Sequence, residues 1–155
     1  MTVEKFDISV VMARLAGSGS RWASERWEAR GVLPGETADG PRRVLVDTVQ
    51  ERQILFGGVA IELRRDEAQG YYLNLTSPSP SAFIMWRMQD EEATPVLVTA
   101  SYDEAARWLD AGEQVDPVPL PIQFVPAIAR FAAEHYKPEI KSGRRRERTS
   151  GRNAE

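Results

Sequence analysis

Between Ile54 and Arg64 the chain alternates, with Val59, Ile61 and Leu63 interleaved by Ala60, Glu62 and Arg64. A repeat of two residues sends successive side chains to opposite faces of an extended strand, so the segment fits a half-buried sheet. The same period runs through Phe6, Ile8, Val10 and Met12, with Asp7, Ser9, Val11 and Ala13 between them. Two strands cannot stand alone in water, and further strand patterns follow. Gly17-Ser18-Gly19-Ser20 reads as a flexible loop, Arg21 to Val32 as a strand closed by Pro34-Gly35, and Arg43 to Val46 as a short strand. Asp66 to Gly70 is polar and Tyr71 to Thr76 resumes the strand pattern, so Ile54 to Ser77 reads as a hairpin with a long loop. Gly57-Gly58 is either another turn or a bulge within one bent strand. Ala82 to Met88 and Pro95 to Ala100 form a second hairpin around the acidic turn Gln89 to Glu92.

The period changes at Ser101. Ser101 and Glu104 have the spacing of a capping box, Ala105, Trp108 and Leu109 share a helical face, and Gly112 is placed to end the helix. After the proline-rich, extended stretch Val115 to Pro121, a second helix runs from about Pro121 to Tyr136. Phe124, Ile128, Phe131 and His135 form its apolar stripe. The expected architecture is an α+β domain: an antiparallel sheet of about six strands, able to curve strongly, with two C-terminal helices.

A chain of 155 residues is long enough for one proper core. Residues 1–137 are expected to form one globular domain and 138–155 a disordered basic tail, because Ile140 stands alone there among polar and charged residues. The tail from Lys137 holds seven basic and three acidic residues, leaving 13 basic and 20 acidic residues in the body. An acidic body repels phosphates, so nucleic-acid contact is expected only as RNA binding through the tail. The absence of cysteine excludes disulfides, thiolate metal sites and cysteine catalysis. No leader pattern or long apolar run is present, which points to a cytoplasmic protein without membrane contact.

Groups suited to bond-making are sparse. His135 is the single histidine, and a helix's last turn accounts for it without a catalytic role. The carboxylates Asp66-Glu67 and Asp90-Glu91-Glu92 fall in expected turns, where water solvates them. No glycine-rich stretch matches a phosphate-binding loop, and no metal or cofactor is implied. The most unusual stretch runs from Arg21 to Glu28. Trp22 and Trp27, five apart, point to opposite faces of a regular strand, so one leaves the core unless a bulge intervenes. Trp22, Arg26 and Trp27 therefore form a candidate interface, tryptophan beside arginine being a common anchor. The alternative is that both tryptophans are buried. Trp86 and Trp108 read as core.

Several strings together resemble a small bacterial family, number 3305 among the domains of unknown function. They are Ser9-Val10-Val11-Met12, Arg21-Trp22 with Ser24-Glu25-Arg26-Trp27-Glu28, Arg65-Asp66-Glu67 with Gly70-Tyr71-Tyr72-Leu73-Asn74-Leu75, Tyr102-Asp103-Glu104-Ala105-Ala106-Arg107 and Asp110 to Asp116. The resemblance implies a gene neighbourhood shared with molybdenum-dependent formate dehydrogenase and no established catalytic residues. The expected function is that of a non-enzymatic accessory or binding protein. Its partner would be a protein, formate dehydrogenase or a maturation factor, and self-association is left open. A rival is a small-molecule sensor or enzyme built from scattered residues such as Glu62, Arg64 and Tyr72.

Overall fold

The computed structural model describes residues 2–17, 25–35 and 40–136. Seven strands and three helices occur among them: β1 (Thr2–Leu15), β2 (Arg26–Pro34), β3 (Arg42–Asp47), β4 (Glu51–Arg64), α1 (Ala68–Leu75), β5 (Ser81–Gln89), β6 (Glu92–Thr99), α2 (Tyr102–Asp110), β7 (Gln114–Pro119) and α3 (Val125–His135). The sheet order is β2-β1-β4-β6-β5-β7, with β3 also paired to β4. All ladders are antiparallel except β4 with β6, which meet in parallel at Ile61 and Val98. The expected α+β architecture is therefore present, with a mostly antiparallel sheet.

Strong curvature brings the sheet nearly to a closed barrel. Ile8 pairs with Val59 and Val10 with Phe56, so Ser9 faces Gly57 and Gly58, a bulge inside one continuous strand rather than a turn. Gly58 has φ +72°, a conformation that costs a side chain but not glycine. Further register shifts fall at Val11/Met12 and Met85/Trp86, and each bulge adds bend and twist. The end strands β2 and β7 then face one another across a seam. A side chain joins them there: one oxygen of Asp116 accepts from Ala29 N–H at 2.8 Å and from the Trp86 indole at 2.9 Å.

The barrel interior is filled by Ile8, Val10, Met12, Ile54, Ile61, Leu63 and Ile84, all fully buried. Helix α3 covers it with Ile128, Phe131 and Ala132. Phe131 meets Tyr71 edge-on at 5.9 Å, and Phe6 stacks on Phe124 at 4.9 Å. No helix among the described residues is long and apolar enough to cross a membrane, which leaves strands unaddressed.

Three expectations need correction. The sheet has seven strands among the described residues, and one of them was not expected: Val115 to Pro119 pairs with β5 instead of running as a bare extended link. Its Pro117 and Pro119 lack ladder donors, as suits an edge strand. Tyr71 to Thr76 is not the return strand of a hairpin. Ala68–Leu75 is helical, which makes α1 a third helix, and α2 precedes β7 rather than joining α3 at the C-terminal end. The helix puts Tyr71 and Asn74 on its inner side, where the Asn74 amide donates to Ser81 C=O and Ala100 C=O at 2.7 and 2.9 Å. It also lets Gly70 lie against Ser101, where a Cβ would clash. Finally, Glu67 is not a solvated turn carboxylate. It is buried, accepts from the Ser101 hydroxyl at 2.6 Å and pairs with Arg107.

The Ser101 cap forms, with its hydroxyl accepting from Glu104 N–H at 3.0 Å. The reciprocal half of the box does not: Ser101 N–H reaches Thr99 Oγ1 at 3.0 Å, and that hydroxyl donates to Glu104 at 2.6 Å. Gly112, at φ +89°, follows α2 as expected. Trp86 is buried and Trp108 half-buried.

Candidate functional site

The site builds from one row of side chains near the Leu15 end of β1. Arg14 lies opposite Trp27 on β2 and opposite Arg52 on β4, and Arg52 lies opposite Asp47 on β3. Directly paired residues share a face of the sheet, and that face recurs every second residue. Arg14 follows Met12 by two and Arg52 precedes Ile54 by two, while Trp27 itself packs on the core. The row therefore continues the interior face where the apolar filling ends. Two arginines and an indole take over there.

Their polar groups are only partly matched. Arg14 donates to Thr48 C=O at 3.2 Å and lies 4.0 Å from Glu25. Arg52 lies 3.4 Å from a Glu92 oxygen through one terminal nitrogen and 4.0 Å from Asp47 through Nε. Glu92 is also gripped by both ends of the Arg42 guanidinium. That bond to Glu92 raises the Arg42 pKa above its ordinary value. Among the described residues two nitrogens remain buried and without an acceptor: Trp27 Nε1 and Arg52 Nε. A buried donor left unsatisfied costs on the order of 1–3 kcal/mol, so two in one row is an unusual density of unused donors.

On the outer side, Arg30 bridges Glu28 and Glu51 at 3.6 and 3.0 Å. Bonds from Gln53 and then from Arg30 pull the Glu51 carboxyl below its ordinary pKa. Arg26 is exposed at the start of β2 and touches Glu28 at 3.4 Å. The structure thus places Arg26 beside Trp27, with Arg26 outward and Trp27 half-buried against the core. Trp22 lies outside the described residues. Nothing in the sequence signalled the unused donors, because Arg14 and Arg52 reach Trp27 only through strand pairing.

Elsewhere the titratable groups disperse. Glu62 lines an opening of about 380 Å³ between β4 and β6, whereas Tyr72 lines a separate apolar groove of about 450 Å³ between α1 and α3. Arg64 pairs with Glu62 and Glu104 at 3.3 and 3.5 Å, so these residues do not converge on one cavity. Asp90 and Glu91 adopt positive φ in an exposed turn. His135 closes α3 with its ring 4.5 Å from Phe131. No three side chains among the described residues are grouped to hold a metal ion.

The family model described as Protein of unknown function (DUF3305) matches residues 7–146. The chain belongs to the DUF3305 family. The match spans β2 to α3 entirely and β1 from Asp7 onward, so the seam and the Trp27 row both lie within the DUF3305 unit. No curated protein and no solved structure matches this DUF3305 chain.

Proposed function

We propose that this chain is a non-enzymatic binding protein whose contact surface is the beginning of β2. Trp27 and Arg26 anchor it, and Trp22 belongs to the same strip of sequence. The observation that carries the reading is the Trp27 indole: a half-buried ring whose N–H has no acceptor, next to an exposed arginine. Tryptophan and arginine are the residues that most often dominate binding energy at protein interfaces. The partner in this reading is formate dehydrogenase or one of its maturation factors, on the strength of the gene neighbourhood that the family resemblance implies. The test is capture of formate dehydrogenase components by tagged wild-type protein and by an Arg26→Glu variant. The charge reversal at an exposed position should leave folding intact and abolish capture. Equal capture by both proteins would reject this surface.

A further inference from the structure

We infer that the free edge of β3 is a self-association site, where a second copy of this chain adds its own β3 antiparallel across a two-fold axis. The inference goes beyond the β2 contact surface and stands without it. Among the described strands, β1, β4, β5 and β6 have neighbours on both edges, and β2 and β7 face one another at the seam, whereas β3 pairs with β4 alone. Its other edge presents main-chain N–H and C=O groups in series, which another strand can match. The strand is open to solvent: Val44 and Leu45 are 37% and 42% exposed, and Leu45, at the register shift, has no partner on β4.

The charges of β3 select the occupant. Arg42 and Arg43 stand at one end and Asp47 at the other, so a parallel mate would set arginine beside arginine. In an antiparallel register centred between Val44 and Leu45, Arg42 lies opposite Asp47 of the second copy, and symmetry makes that pair twice. The two residues share a face, since Arg42 pairs with Phe56 and Asp47 with Arg52 on the interior side of β4. Asp47 is little engaged within its own chain, its side chain 65% exposed and 4.0 Å from Arg52. Short length, arginines and a bulge are features that keep an edge from stacking without end. A two-fold pair uses both free edges at once, so association stops at two copies. The contact is small, and its dissociation constant is expected at about 10–100 μM.

Sedimentation velocity of the full chain, at concentrations from below to well above that value, should show monomer passing to dimer and no larger species. The chain has no cysteine, so Leu45→Cys and Val49→Cys each take a single nitroxide label. In the dimer, labels at Leu45, beside the axis, should lie under about 20 Å apart by electron dipolar spectroscopy, and labels at Val49 about 30 Å apart. Asp47→Arg, which sets arginine opposite Arg42, should weaken the dimer about tenfold at an unchanged melting temperature. Undiminished dimerisation of Asp47→Arg, or Leu45 labels no closer than Val49 labels, overturns the inference. A wild-type chain that stays monomeric throughout also overturns it. If Leu45→Lys then loses a protein that the monomeric wild type captures, the edge belongs to a foreign strand instead.

Discussion

Removing the Asp116 carboxylate should loosen the barrel at its seam, by an amount that can be worked from two bonds. One oxygen accepts from the Ala29 amide of β2 and from the Trp86 indole of β5. Hydrogen bonds to a charged acceptor contribute about 1.5–3 kcal/mol each. Asp116→Ala forfeits both, and it leaves the buried Trp86 indole without an acceptor. The expected loss is about 3–5 kcal/mol, allowing for partial relaxation. That corresponds to a melting temperature lower by about 12–20 °C for a domain of this size. Asp116→Asn keeps an acceptor oxygen that can serve both donors without the charge, so it should cost only about 1–2 kcal/mol. Urea denaturation gives the free energies, and native-state hydrogen exchange reads the Ala29 amide, whose protection should drop in the alanine variant. An alanine variant less than about 1 kcal/mol below wild type, or an Ala29 amide still fully protected, would refute the seam argument.

Gly70→Ala should destabilise by about 1–3 kcal/mol in urea titration despite alanine's better helix propensity. The added Cβ would sit 2.9 Å from the Ser101 Cβ and closer still to its hydroxyl. Ser101→Ala should cost about 2–4 kcal/mol, since one hydroxyl both caps α2 and donates to buried Glu67, and a loss no larger than a simple cap would contradict that double role. Burial pushes the Tyr71 phenol up to about 12, from an ordinary value of 10.0. The neutral phenol is the form that folding favours, so its contribution is complete below pH about 10 and disappears as pH climbs toward 12. Stability measured from pH 9 to 12 should fall more steeply in wild type than in Tyr71→Phe.

The strands were legible because alternation is a local signal. Ile61 and Leu63 announce a buried face whatever they pair with, and β1, β4, β5 and β6 follow from such runs. The α1 segment was not legible. Tyr71 to Leu75 is a short run without clear period, and what makes it helical is the fit of Gly70 against Ser101, 31 residues on. β7 was hidden by its prolines, which mark an edge strand and an irregular link alike. The site was half legible. Trp27 and Arg26 stood out as an unusual pair, but Arg14 and Arg52 carry no motif, and only register places them in the same row. The burial of Glu67 likewise depends on Ser101 and Arg107, too distant in sequence to foresee.

The most direct trial of a contact-making role for Trp27 is affinity capture from the native host with wild-type protein and the Trp27→Phe variant, each shown to be folded. Phenylalanine keeps an aromatic ring against the core and removes the unused donor together with the rest of the indole. A partner held by wild type and released by the variant is the expected outcome; the same proteins recovered in equal amounts from both would contradict the account.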